Sequence, residues 1–171
     1  NLGSPYSSPS SFSFNPWFID ANDLVDEGFL PEDILNQLPG SKSVNDGYVD
    51  FDLANLRSQK IGKSLRSYWY KQSANRHAQF ESWCAKQFWL EDHAYFMELR
   101  RRNNFLPWWD WSSQWSNYDS NKLLVLKNTS QDSLLEDLLI QWHLDRQWEV
   151  IKNLANELGI LLFGDLPFYV S

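Results

Sequence analysis

The chain has 171 residues, enough for one domain with a sizeable core. Hydrophobic residues make up 43% and charged residues 22%, which excludes a disordered chain and predicts a globular, soluble one. A formal net charge of −7 repels phosphate, so nucleic acid and anionic membrane are poor partners.

Two further exclusions follow from single residue types. Cys84 is the one cysteine, which cannot form an internal disulfide and points to a reducing compartment. The apolar run Ile160–Phe163 falls far short of the roughly 20 residues that cross a bilayer. Aromatic residues reach 16%, with ten tryptophans. The chain starts at Asn1 without a methionine and stops at Ser171 just past an apolar run, which reads as an internal piece of a larger protein.

Residues 1–17 form an aromatic loop rich in serine and proline, in which Pro5, Pro9 and Pro16 disfavour helix. Tyr6, Phe12, Phe14 and Trp17 predict that it is ordered. A short helix follows, capped by Asn22 or Asp23 and stopped by Gly28. A second takes Pro31 in its first turn and ends at Pro39-Gly40. Residues 40–48 read as a polar turn.

The recurrence of Leu53, Leu56, Ile61, Leu65 and Tyr68 or Trp69 predicts a helix from about Asp52 to Tyr70. Three/four spacing from Phe80 to Glu98 predicts a long helix from Asn75 to Arg102, with three arginines at its negative end. Pro107 then opens an aromatic loop containing Trp108, Trp109 and Trp111.

A last helix is expected from Ser133 to Leu158, opened by a Ser133/Glu136 capping box and closed by Gly159. Leu134, Leu138, Trp142, Arg146, Val150, Leu154 and Leu158 form its apolar stripe. Ile160–Phe163 then reads as a strand buried on both faces, as in a parallel sheet. Asp165 would sit at its end, where barrels place functional residues; a buried structural acid is the alternative.

Most catalytic signatures are missing. His77, His93 and His143 lack metal-ligand spacing, and no glycine-rich phosphate loop or nucleophile elbow occurs. Cys84 lies on an apolar helical stripe and reads as a buried, inert thiol. Adjacent Glu91 and Asp92 point to different helix faces and cannot act as a matched acid/base pair. Trp83, Trp89, Trp142 and Trp148 read as core. Tyr6, Trp108, Trp109 and Trp111 are open to either core packing or stacking on sugar rings.

Five ordered segments carry a resemblance. They are Ser4-Pro-Tyr6 with Asn15-Pro16, Phe88–Met97, Leu106-Pro-Trp108 with Trp111, Gln141-Trp142 with Arg146-Gln-Trp148, and Leu158-Gly-Ile160 with Gly164–Val170. Together they resemble the 4-alpha-glucanotransferases, the amylomaltases or disproportionating enzymes of glycoside hydrolase family 77. The resemblance implies part of a (β/α)8 barrel of the alpha-amylase clan, an α/β fold with a largely helical insertion. Residues 1–17 would be a substrate-groove loop, 18–132 the insertion, and 133–171 a barrel helix plus strand.

The resemblance also implies a retaining transfer of alpha-1,4-glucan segments between maltooligosaccharides. That chemistry needs two carboxyl groups about 5 Å apart and no cofactor or metal. The family's nucleophilic Asp and acid/base Glu lie after the segment seen here, so no catalytic residue is expected in this chain. Ser4 and Tyr6 match the loop on the donor side of the groove. Asp165 matches the acid of the first amylase-type motif and would position the sugar ring. The implied location is the cytoplasm, or the plastid stroma in a plant-type host. The rival reading is a non-catalytic glucan-binding or helical interaction module; a hydrolase of the same clan would differ only in its acceptor.

Overall fold

The computed structural model describes residues 7–40, 49–117, 119–165 and 169–170. The polar turn at 41–48 and the site residues Ser4 and Tyr6 lie outside the described residues. Helix α1 (Ala21–Asp26) is capped by Asp20, whose carboxylate accepts the Asn22 N–H at 2.8 Å. The expected caps Asn22 and Asp23 therefore lie two and three residues too late, inside the first turn. Gly28 ends the helix in the left-handed region at φ 73°. There the Phe29 N–H reaches Leu24 O at 2.8 Å and the Gly28 N–H reaches Val25 O at 2.9 Å. This double closure needs a residue tolerant of positive φ, and it tucks Phe29 against the core beside Leu24. Helix α2 (Ile34–Gln37) is a single turn beyond Pro31.

Helix α3 (Phe51–Trp69) starts at Asp50, which accepts the Leu53 N–H at 2.9 Å. Ser58, Ile61, Gly62, Leu65 and Trp69 form its buried face, while Leu56, expected there, is exposed. That face packs along α7 (Gln131–Glu157). A β-carbon on Gly62 would stand 3.0 Å from Ile140 Cδ1 and 3.4 Å from Glu136 Cβ, so glycine permits the close approach.

The helix expected over 75–102 is two helices, α4 (Ala74–Cys84) and α5 (Leu90–Arg102). No proline or glycine marks the break. It is tertiary, because the two halves serve different cores. Phe80 joins Leu24, Phe29, Ile61, Leu65, Trp69, Leu139 and Trp142. Ala94, Tyr95 and Leu99 join Trp111, Leu126 and Leu134. Between the halves, Phe88 and Trp89 meet Phe12 with ring centroids at 5.2 and 6.4 Å.

Helix α6 (Ser120–Thr129), unanticipated in the sequence, is capped by Asp119, which accepts from the Asn121 N–H at 2.9 Å. It contributes Leu126 to the second core. Helix α7 spans both cores, and Leu138 packs against each. It begins at Gln131, and the expected capping box does not form. Instead the Ser133 hydroxyl donates to Glu98 at 2.9 Å, and Glu136 accepts from Arg66 Nε at 2.8 Å. Gly159, at φ 68°, closes the helix as expected, with the Ile160 N–H on Ala155 O at 2.8 Å.

The stripe of α7 is buried only in its first half: Leu134 and Trp142 are buried, but Val150, Leu154 and Leu158 are exposed. Ile160–Phe163 does not form the expected buried strand. It takes no regular secondary structure, and all four side chains are exposed. A buried parallel strand needs neighbours on both edges and cover on both faces, and the described residues supply neither. Among them the fold is predominantly helical. The one strand pairing joins β1 (Ser7–Ser8) to β2 (Tyr169–Val170) in parallel, with Ser7 opposite Tyr169 and Ser8 opposite Val170. No helix in the described residues is long and apolar enough to cross a membrane.

Candidate functional site

The β1–β2 junction brings together segments more than 160 residues apart, the chain just after Tyr6 and the chain just after Asp165. Asp165, ahead of β2 in the chain, is exposed and not a buried structural acid. Ser4 and Tyr6 precede β1 and lie outside the described residues.

The loop leading away from β1 is ordered by its own polar side chains. Ser10 Oγ accepts the Phe12 and Ser13 N–H groups at 3.1 and 3.2 Å. Asn15 caps a 3-10 turn at Pro16–Phe18 by accepting the Trp17 N–H at 3.0 Å. Trp17 Nε1 donates to Asn55 Oδ1 on α3 at 2.8 Å. Two glutamines of α7, Gln141 and Gln147, bond the backbone of Phe14 and Asp20. The sequence places Trp142 and Trp148 in the core and does not disclose these bonds. The available signal was an amide at position 141 within an apolar run.

The tryptophans divide. Trp142 is buried, and Trp83 is half-buried with its Nε1 on Asp145 Oδ2 at 2.7 Å. Trp148, expected in the core, is 39% exposed, because α7 has passed beyond both cores by that point. Trp111 is core, with its Nε1 on Leu106 O at 2.9 Å. Trp108 and Trp109 are exposed, edge to face at 5.7 Å. The turn before them holds two non-glycine residues in the left-handed region, Asn104 at φ 53° and Phe105 at φ 60°.

Glu91 is structural. It accepts from Lys127 at 2.9 Å and Tyr95 OH at 2.8 Å, and these bonds hold its carboxyl below the usual range. Burial pushes the half-buried Cys84 thiol up to about 11, far from a nucleophile's range. No three His, Cys, Asp or Glu side chains among the described residues group as a metal ion would require.

His143 is fully buried against Phe29 and Trp142, at ring distances of 4.4 and 4.7 Å. Its Nδ1 lies 3.1 Å from Arg146 Nη1, and an arginine N–H only donates, so Nδ1 accepts and the proton sits on Nε2. Burial, then the charges of Arg146 and Arg76, push its pKa from 6.5 down to about 3. The unfolded chain thus takes up a proton near pH 6.5 that the folded chain refuses until about pH 3. Stability is expected to fall as pH drops through that window, by about 1.4 kcal/mol per pH unit. Urea unfolding at pH 6.5 and 5.5 should show a smaller drop for His143→Leu than for wild type; equal drops would refute the assignment.

The family described as 4-alpha-glucanotransferase matches residues 1–171, the whole chain. The chain is 31% identical over 170 residues to the 4-alpha-glucanotransferase of Synechocystis sp., covering 98% of this chain and 33% of that protein. It is 30% identical over 171 residues to the Thermus thermophilus 4-alpha-glucanotransferase, with the same coverage of both. It is 32% identical over 175 residues to the chloroplastic/amyloplastic enzyme of Oryza sativa, covering 28% of it. In fold it matches an amylomaltase from Streptococcus agalactiae solved in complex with acarbose. The TM-score is 0.87 at 22% identity, over 98% of this chain and 34% of that one. The chain thus spans about a third of the length of the relatives it matches.

Proposed function

Because this chain belongs to the 4-alpha-glucanotransferase family, we propose that it supplies the donor-groove part of an enzyme that moves alpha-1,4-glucan segments between maltooligosaccharides. The observation that carries the reading is the β1–β2 pairing. It sets the backbone next to Tyr6 beside the strand that follows Asp165, the two segments where the substrate-binding residues are expected. In this reading Ile160–Phe163 becomes an inner barrel strand, and its exposed apolar side chains are covered by the rest of a (β/α)8 barrel.

Retention of configuration needs a nucleophilic carboxylate and an acid/base carboxyl about 5 Å apart. Those two groups are assigned outside residues 1–171. The nucleophile attacks the anomeric carbon while the acid protonates the departing glycosidic oxygen. The resulting base then deprotonates the acceptor sugar's hydroxyl as it displaces the carboxylate. Ser4 and Tyr6 would offer a hydroxyl and a stacking face to the donor glucan, and Asp165 would orient the ring at the scissile bond. Acarbose bound to the Streptococcus agalactiae amylomaltase supports an oligosaccharide ligand here. The family match favours this reading over a non-catalytic glucan-binding or helical interaction module.

The test is maltotriose supplied to the full-length protein. Transfer converts two maltotrioses into glucose and maltopentaose with no net gain of reducing ends. Maltose and glucose with rising reducing ends would indicate a hydrolase instead, and unchanged maltotriose would reject both.

A further inference from the structure

Gln141 is buried inside the apolar part of α7, between Ile140 and Trp142. Its amide meets a single residue of the opposing loop twice. Oε1 accepts the Phe14 N–H at 2.8 Å, and Nε2 donates to the Phe14 carbonyl at 2.9 Å. Gln147 repeats the arrangement on Asp20: Oε1 accepts the Asp20 N–H at 3.1 Å, and Nε2 donates to the Asp20 carbonyl at 2.8 Å. Both pairs are 127 residues apart, so helix and loop run in matched register between the two contacts.

An amide facing a peptide in this way makes the reciprocal N–H and C=O exchange of a strand pair. The glutamines supply to the loop the hydrogen bonds that a neighbouring strand would supply. A buried amide without partners costs about 1–3 kcal/mol, so the loop cannot slide along α7 without leaving Gln141 and the Phe14 backbone unsatisfied. The stretch between the contacts is also tied to α3 through Trp17 and Asn55.

We propose that Gln141 and Gln147 are positioning residues. Together they fix the register of residues 14–20 against α7, and so set where β1 meets β2. Both act through the loop backbone. The consequence for activity rests on the glucan-transfer reading; the consequence for the loop does not.

The experiment is Gln141→Leu in the full-length protein, read by hydrogen exchange at the β1–β2 junction and by maltotriose kinetics. The junction is expected to exchange at least about tenfold faster, because local opening becomes easier. KM should rise about tenfold with kcat within about twofold, the signature of lost uniform binding. Ile61→Val weakens the same core and should move neither readout. Gln141→Glu should behave like the leucine variant at pH 7, where a carboxylate faces the Phe14 carbonyl. It should recover as the pH falls and protonation restores a donor. Unchanged junction exchange in Gln141→Leu overturns the proposal, even if the protein transfers glucan. A protein that transfers no glucan but shows the faster exchange keeps the proposal and removes the function reading.

Discussion

Asp165→Ala is expected to lower maltotriose disproportionation by the full-length protein about a hundredfold, the usual cost of a misplaced substrate at the reacting centre. The expectation follows from its match to the acid of the family's first amylase-type motif and from its place just ahead of β2. Its side chain is exposed in residues 1–171, and urea unfolding of the variant beside wild type measures what the fold itself loses. That separates loss of ring positioning from loss of fold. Asp165→Asn keeps the size and removes the charge; a loss as large as that of alanine would mean that the charge orients the sugar. Wild-type turnover in the alanine variant would sink the assignment.

The largest expected loss of stability comes from Arg101→Met, about 3 kcal/mol. Arg101 grips Asp137 with both nitrogens of its fork, Nη2 to Oδ2 at 2.7 Å and Nη1 to Oδ1 at 3.1 Å. Its Nε also reaches Glu98 at 3.2 Å. Glu98 in turn accepts from Ser130 at 2.7 Å, Arg102 at 2.9 Å and Ser133 at 2.9 Å, so the cluster bolts α5 to the start of α7. Burial would raise Glu98, but these hydrogen bonds and the Arg101 charge outweigh it and hold the carboxyl low. Burial pushes the Asp137 carboxyl up, and Arg101 opposes that push.

Removing Arg101 leaves Asp137 without its cation. The variant's folded state then binds a proton at Asp137 more readily than its unfolded state does. Its deficit should therefore shrink as pH falls from 7 toward the unfolded carboxyl range near 4. Urea unfolding at pH 7 and pH 5 measures this. A deficit below about 1 kcal/mol at pH 7 would show that the pair is solvated and weak. Arg101→Met with Asp137→Leu should recover most of the loss, because no charge is left stranded.

The features legible in the sequence were those set by chemistry within a few residues. Gly28 and Gly159 stop their helices because each takes a positive φ that other residues resist. The span of α3 follows from its spacing, and Trp142 was placed in the core from its position on a stripe. Ser133 and Glu136 had the spacing of a cap, but partners on other helices, Glu98 and Arg66, held them instead. The periodicity across 75–102 was genuine in each half, yet it carried no mark of the break between them. Helix α6 has no clear stripe for periodicity to reveal, because its leucines gather together.

By itself the sequence determined the family, through the order and spacing of its five motif segments, and the points where helices begin or stop through local caps and glycines. Only the tertiary structure decided which half of α7 is buried and where the long helical run divides between two cores. It alone paired β1 with β2 and set the α7 glutamines on the loop backbone. The physical reason is separation along the chain. A cap or a left-handed turn is settled by neighbours within one turn of helix. The Gln141–Phe14 contact and the Ser7–Tyr169 pairing depend on residues more than a hundred positions away, whose positions are fixed only once the cores have packed.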